Sequence, residues 1–414
     1  MDKPQNLQGF RDFLPAEKRR RDFVARKVTE TFELFGFEPL ETPTLEYASL
    51  LLGKYGKEAD KLVYSFKDRG NREVGLRYDQ TVPTARVLAQ YQNTLPKYFR
   101  RYQIQNVFRA DKPQKGRFRE FTQCDIDIFG SSSPIADAEI ISCTYAAFKN
   151  VGFQNIIIKM NDRQVLFSTI EPFTKPDVSI PSIIQTIDKI DKIGEDGVVK
   201  ELINKGLSES ESRAVLSAIQ KAEPSENLRS ILKYAYALGV PPASLSFTPT
   251  LARGLDYYTG MIFEVVIPDY EGGSICGGGR YDNLIASLSG DATPAVGMAI
   301  GFDRTVDACT TLGIIDAQVN APALLVTVFE ESTVVNSLTV VNELRKNGLP
   351  AELFPSLEKL EKQLKFADQK NISYVVIVGP DEVRDNVVVL KSMKTKTQER
   401  IPLSTVIQKL TKDH

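Results

Sequence analysis

FRADKPQKGRFREFTQCDID, Phe108 to Asp127, alternates basic with apolar or aromatic residues and breaks at Asp111-Lys112-Pro113-Gln114-Lys115-Gly116 into a polar turn. That is the pattern of two antiparallel strands with one charged face, joined by a loop. Arg109, Lys112, Lys115, Arg117 and Arg119 crowd the hairpin, with few acids nearer than Glu120 and Asp125. Planar guanidinium forks can hold phosphate oxygens at two points at once, so one reading of this charge is a phosphate site. The other is a solvated edge ribbon that uses Lys and Arg against aggregation. On charge alone the two readings stand even, and the rest of the chain must decide.

Upstream, Lys61 to Phe66 and Glu73 to Tyr78 read as strands around the polar turn Lys67 to Asn71; Asp79, Gln80, Thr81 and Val82-Pro83 then precede an amphipathic helix. A carboxylate and a hydroxyl where a strand hands over to a helix suit a cleft that binds an ammonium group, although capping the helix also explains Thr81. Earlier still, Ala16 to Phe35 carries Val24, Val28, Phe32 and Phe35 on one helical stripe, and Gly36 stops it. Phe37 to Pro43 is extended, and its prolines deny it a central ladder position. A long helix with such a strand suits an edge or a dimer interface as well as a helix packed on its own domain.

Downstream, Ser133 to Phe148 is helical and Ile156 to Met160 is a strand of buried type. From about Arg163 to Ser246 helical patterns follow one another, with a capping box at Ser208 and Glu211, as in a helical insertion within a sheet domain. Sheet character returns at LARGLDYYTGMIFEVVIP, Leu251 to Pro268, where Arg253, Asp256, Tyr257, Tyr258 and Thr259 stand ahead of a core strand. So many hydrogen-bonding groups at the mouth of a strand indicate a pocket, or tyrosines packed with their hydroxyls at the surface. The three glycines of Cys276-Gly277-Gly278-Gly279-Arg280-Tyr281-Asp282 permit close approach of backbone to a ligand or to another strand. Ala295 to Arg304 reads as a small-residue strand turning into a helix with Arg304 in its first turn; Gly297 and Gly301 are expected to leave space for a flat ring. Ala321 to His414 spells a βαβαβ pattern with parallel pairing and lacks a glycine-rich phosphate loop, so it reads as a binding appendage.

The 414 residues leave room for two to four domains, and 42% hydrophobic with 25% charged residues is ordinary for a globular protein. With a net charge of −1, any nucleic-acid contact must come from local patches. Cys124, Cys143, Cys276 and Cys309 lie far apart without zinc spacing. The only histidine is His414, which excludes histidine-based triads and histidine-rich metal sites within the chain. Chemistry here falls to arginines, carboxylates, tyrosines and backbone groups. The N-terminal MDKPQNLQGFRDFLP has no signal-peptide core and no apolar run reaches membrane-span length, so the expected location is the cytoplasm.

Taken together, these blocks resemble histidyl-tRNA synthetase, a class II aminoacyl-tRNA synthetase, over essentially the whole chain. Gly36 to Pro43 resembles motif 1, Phe108 to Gln123 motif 2 and Gly297 to Arg304 motif 3, while RGLDYYTG (Arg253 to Gly260) and CGGGRYD (Cys276 to Asp282) single out the histidine branch. The resemblance implies an α+β fold. Its parts would be a catalytic domain, residues 1–320, with a six-stranded antiparallel sheet and a helical insertion at about 163–246, and a C-terminal α/β anticodon-binding domain, residues 321–414. It further implies a homodimer acting on L-histidine, ATP with Mg2+, and tRNA(His), with no protein-held metal.

By the same resemblance Arg109 holds the ATP α-phosphate, Arg304 the γ-phosphate end of a bent ATP, and Arg253 takes a catalytic place at the α-phosphate and a place in the histidine site. Asp111 and Arg117 border the nucleotide, Phe121 stacks on adenine, and Lys112, Gln114 and Lys115 meet the tRNA acceptor end. Asp79, Gln80, Thr81 and Gln123 belong to the histidine site around the α-ammonium group; Asp127 and Tyr258 hold the imidazole nitrogens, with Tyr257 beside them. Asp79 and Asp127 stand where many bacterial relatives have Glu, so a shorter Asp127 calls for a shifted ligand or a water. The rival reading is the non-charging, synthetase-like regulatory subunit of ATP phosphoribosyltransferase. It usually lacks the C-terminal domain, and Arg109, Arg253 and Arg304 are all present here. A prolyl or threonyl enzyme would lack RGLDYYTG.

Overall fold

The computed structural model describes residues 3–53, 60–112, 118–253, 257–286, 292–315 and 324–411. It divides into two compact units, residues 1–14 with 20–315, and residues 15–19 with 316–414. The expected boundary near residue 320 lies outside the described residues.

In the first unit the strands are β1 (Glu38–Pro39), β2 (Leu45–Tyr47), β3 (Ser65–Lys67), β4 (Glu73–Leu76), β5 (Phe99–Phe108), β6 (Glu120–Phe129), β7 (Ile157–Asp162), β8 (Leu245–Phe247), β9 (Met261–Val266), β10 (Cys276–Arg280) and β11 (Ala295–Gly301). Eight of them form one sheet in the order β1-β5-β6-β11-β10-β9-β7-β8. The six strands from β5 to β7 pair antiparallel at every step, and β1 and β8 join parallel at the two edges. Pro39 therefore sits on an edge strand, where its missing N–H breaks no ladder bond. The Phe108–Asp127 hairpin is antiparallel as read, with Phe108 opposite Glu120, and its basic residues fall in the connection rather than on the strands. β3 starts at Ser65, later than the Lys61 expected, and pairs with β4 in a separate small sheet β2-β4-β3.

Helix Pro134–Val151 covers one face of the large sheet, starting at a Ser133 cap with Pro134 in its first turn and ending at Gly152. It buries Ala138, Ile141, Ala147 and Phe148 completely. On β6 the side chains alternate, so Cys124, Ile126 and Ile128 are buried on one face while Phe121, Gln123, Asp125 and Asp127 line the other. Helix Pro15–Leu34 buries Val24, Val28 and Phe32; Phe35 is only half-buried, because the chain leaves the helix there for Gly36 at φ +74°.

Between β7 and β8 lies the helical insertion, with helices Arg163–Ile170, Ile180–Ile187, Ile190–Asn204, Glu209–Gln220 and Glu226–Ala237. Its apolar residues Ile183, Ile187, Leu202, Val215 and Ile219 are fully or almost fully buried in a core shared with Ile262 and Leu251 of the sheet domain. The capping box is present: Glu211 N–H donates to Ser208 Oγ (3.3 Å) and Ser208 N–H to Glu211 Oε2 (2.7 Å).

The second unit has strands β12 (Leu324–Val326), β13 (Ala351–Leu353), β14 (Tyr374–Ile377), β15 (Val388–Ser392) and β16 (Gln398–Ile401) in the order β13-β12-β14-β15-β16. β12 pairs parallel with both β13 and β14, as the βαβαβ pattern requires, and β14, β15 and β16 pair antiparallel. Helices Val334–Lys346 and Leu403–Thr411 bury Val341, Leu344, Val406 and Leu410 against Leu324, Val326 and Val376. No helix among the described residues is long and apolar enough to cross a membrane.

Candidate active site

A cleft of about 660 Å³ opens on the face of the large sheet opposite helix Pro134–Val151, walled by β6, β10 and β11. One buried anchor in it is Asp127, 5% exposed. Asp127 Oδ2 lies 2.5 Å from the guanidinium of Arg101, which is fully buried, and Tyr281 donates its hydroxyl to Asp127 Oδ1. Burial pushes the Asp127 carboxyl up, and Arg101 opposes that rise. The opposing residue in register is Gly297, where a Cβ would lie 1.8 Å from Asp127 Oδ1. The expected space above Gly297 is therefore taken by the Asp127 carboxylate and not left for a flat ring. The partners of the shorter acid are Arg101 and Tyr281.

The triple glycine has the same purpose at two further points. Arg253 crosses over Gly277 to reach Glu264, which lies opposite Gly277 on β9; the guanidinium donates to Glu264 Oε1 at 3.2 Å. A Cβ on Gly277 would lie 1.6 Å from Arg253 Nη1, and one on Gly279 would lie 2.9 Å from the Tyr258 ring. The close approach that these glycines permit is thus to side chains of this chain at Gly277 and Gly279, and to neighbouring strands at Gly278 and Gly279, where a Cβ would lie 2.2 Å from Gly297 O and 2.5 Å from Met261 O. Tyr257 packs against Tyr258 (centroids 4.7 Å) and Tyr281 (5.9 Å), and all three line the cleft. Burial raises the phenols of Tyr257 and Tyr281 well above their ordinary range, so both are neutral donors at neutral pH.

Toward the other end, Arg109 lies over the rings of Tyr78 (4.3 Å) and Phe121 (5.0 Å), and its Nε donates to Tyr78 O. Arg304, in the first turn of helix Phe302–Thr311, donates to Ser274 O at 3.0 Å. The neighbouring Asp303 is held by Arg11 (2.7 Å) and Arg21 (2.5 Å), which ties the start of that helix to the N-terminal segment. Asp111 lines the cleft and is 8% exposed; Lys112 is exposed and does not line it. Gln114, Lys115 and Arg117 lie outside the described residues.

Asp79, Thr81 and Gln123 line the cleft, and Gln123 Oε1 is buried with no hydrogen-bond partner among the described residues. Gln80 does not line it. Its side chain is fully buried and donates to the carbonyls of Gln105 (3.1 Å) and Gln123 (3.0 Å), bracing the β5–β6 pair, so the side chain expected in the histidine site is turned to the strands. Alternation at the strand-to-helix handover sends residues 79 and 81 one way and 80 the other. Nor does Thr81 cap the helix. It is the first helical residue, and Asp79 Oδ1 accepts from Val82 N–H at 3.1 Å.

Several residues that line the cleft or lie behind it escaped sequence reading. Asp125 shares the strand parity of Gln123 and Asp127, a signal that could have found it. Tyr281 stood in a quoted motif without a role. Arg101 and Glu264 become visible only through the pairing of strands. Lys192, from the helical insertion, lines the cleft together with Arg253 and Glu264. It sits on a short turn that Gly194, at φ +68°, separates from the rest of helix Ile190–Asn204.

Six antiparallel strands with arginines at both ends of a cleft on their face are the arrangement of a class II aminoacyl-tRNA synthetase. The family described as Histidyl-tRNA synthetase matches residues 9–305, and that described as Anticodon binding domain matches residues 324–413. The histidine–tRNA ligases of Wolinella succinogenes and Clostridium tetani are each 39% identical to this chain; the alignments cover 96% and 98% of it and 95% and 98% of the relatives. The crystal structure of histidyl-tRNA synthetase from Nostoc sp. PCC 7120 superposes with a TM-score of 0.88 at 28% identity, over 100% of both chains. A Bacillus halodurans structure titled as an ATP phosphoribosyltransferase regulatory subunit/histidyl-tRNA synthetase shares the fold, with a TM-score of 0.72 at 21% identity. The chain belongs to the histidyl-tRNA synthetase family. Its full-length relatives at 36–39% identity are named as ligases, which disfavours the regulatory reading.

Proposed function

We propose that the cleft activates L-histidine with ATP to histidyl-adenylate and passes the histidyl group to the 3′ end of tRNA(His). The observation that carries this reading is the glycine strand Gly277–Gly279, which admits Arg253 and Tyr258 to the same cleft as Asp127. Asp127 and Tyr258 take the two imidazole nitrogens, with Tyr257 beside them. An apolar side chain there would leave buried polar groups unpaired, a strong basis for discrimination. Asp79, Thr81 and Gln123 surround the α-ammonium group; Gln80 acts through the backbone it braces.

Phe121 stacks on adenine, with Asp111 and Arg117 bordering the nucleotide. Arg109 holds the α-phosphate, and Arg304 the γ-phosphate end. The histidine carboxylate attacks the α-phosphorus and pyrophosphate leaves, so negative charge grows on phosphate oxygens. Arg253 meets that charge, and its bond to Glu264 fixes its direction before the reaction begins. Magnesium accompanies ATP. It would offset the charge on the phosphate oxygens of the nucleotide. Lys112, Gln114 and Lys115 meet the acceptor end, residues 321–414 read the anticodon, and the protein works as a cytoplasmic homodimer.

The test is amino-acid-dependent exchange of pyrophosphate into ATP, run with each of the twenty amino acids, magnesium and no tRNA. Exchange with histidine alone is the expected outcome; no exchange from folded protein that binds histidine would restore the regulatory reading. A narrower test concerns the insertion. Lys192→Ala is expected to raise KM for ATP about 3- to 10-fold, the worth of one partly solvated charged contact, and to leave KM for histidine unchanged. An unchanged KM for ATP in steady-state assays removes Lys192 from the nucleotide site.

A further inference from the structure

Asp79, Asp127, Glu264 and Asp303 each have a protein partner for their carboxylates: Val82 N–H, Arg101 with Tyr281, Arg253, and Arg11 with Arg21. Asp125 differs. It is 3% exposed and lines the cleft, yet its Oδ1 is buried without a hydrogen-bond partner among the described residues. In register it lies opposite Gln103 on β5 and Ala299 on β11, and it stands between Gln123 and Asp127 on the cleft face of β6. A buried acceptor without a donor destabilises the empty protein, and a ligand that brings the donor removes that penalty. The charged groups facing Asp125 are Arg101, Asp127, Asp79 and Arg109. Arg101 is taken up by Asp127, and Arg109 is turned to the Tyr78 carbonyl and the two rings, so the acids leave a site short of positive charge.

We propose that Asp125 binds the α-ammonium group of histidine, completing a site whose other members are Asp79, Thr81 and Gln123. This rests on the reading of the cleft as a histidine site. An ammonium group fits because it carries both things that Asp125 lacks, a donor and a positive charge, and because the imidazole end is already provided for by Asp127 and Tyr258.

A proton moves as a consequence. Burial pushes the Asp125 carboxyl up to about 8; Arg101 pulls against it, Asp127 and Asp79 add to it, and Arg109 again pulls against it. At pH 7 the empty cleft therefore holds the uncharged acid. An arriving ammonium group favours the carboxylate, and the carboxyl proton leaves to solvent while the histidine nitrogen keeps its own.

Calorimetric titration of the intact protein tests this, using L-histidine and the analogue 3-(imidazol-4-yl)propionate, which lacks the amino group. Asp125→Asn is expected to bind L-histidine about 10- to 100-fold more weakly, the loss of one charge-assisted hydrogen bond, and to bind the propionate as the unmutated protein does. At pH 7, with buffers of different ionisation enthalpy, the unmutated protein should release about one proton more per L-histidine than the variant does. Equal loss of both ligands, unchanged histidine affinity, or equal proton release overturns the assignment. If the unmutated protein binds no histidine, the histidine-site reading itself fails and this assignment falls with it.

Discussion

Arg253→Ala is expected to slow adenylate formation about 10²- to 10³-fold, the loss reported generally for one preorganised donor at a developing oxyanion, while the dissociation constant for ATP changes little. The reason is that phosphate oxygens gain charge in the transition state, so a fixed cation there contributes more to the barrier than to ground-state binding. Single-turnover quench-flow measures the step, and near-normal turnover would refute the role. The geometry adds a second variant that leaves the arginine in place. Gly277→Ala puts a methyl group 1.6 Å from Arg253 Nη1, and the atom it meets is the far end of a flexible side chain, so the arginine yields and the fold survives. The adenylation loss should match that of Arg253→Ala, and the double variant should be no worse than either single one. Gly297→Ala is different in kind. Its Cβ would lie 2.6 Å from the backbone carbonyl of Ile126 as well as 1.8 Å from Asp127, and a backbone carbonyl cannot swing away.

The second large effect is on stability. Arg101→Ala leaves Asp127 buried with Tyr281 as its remaining partner, and breaking a buried pair in this way costs about 3–5 kcal/mol. Without the guanidinium the Asp127 carboxyl moves further up, because Arg101 is what opposes burial there. Adding Asp127→Asn to Arg101→Ala should restore much of the lost thermal stability of the catalytic unit, since no buried charge then remains to be matched. Histidine activation should stay lost in the double variant. If the single variant unfolds at an unchanged temperature, Arg101 is not the counter-charge of Asp127.

Much of the frame was legible because it is written in local signals. Period-two alternation after a polar turn identified β6, Pro39 and Pro43 marked the edge, Ser208 with Glu211 marked a helix start, and Gly36 marked a helix end at φ +74°. The order of motifs 1, 2 and 3 along the chain, with RGLDYYTG and CGGGRYD, carried the resemblance to the family. The direction of the Gln80 side chain was not legible, because it stands between two residues that do face the cleft. In a strand-to-helix handover, a neighbour in sequence points the opposite way.

By itself, then, the sequence determined the class of fold, the two-part organisation and the chemical character of a site built from arginines, carboxylates and tyrosines without histidine. Helix and strand periods, caps and turn residues act over a few positions, so they can be read there. Which side chain lies against which glycine was decided only by the tertiary structure. Asp127 faces Gly297, and Arg253 crosses Gly277 to reach Glu264, because the register of β6, β9, β10 and β11 brings those residues opposite each other. The same pairing leaves Asp125 facing the cleft with its Oδ1 lacking a hydrogen-bond partner among the described residues. Register is the sum of many contacts distant in sequence, and no one segment contains it.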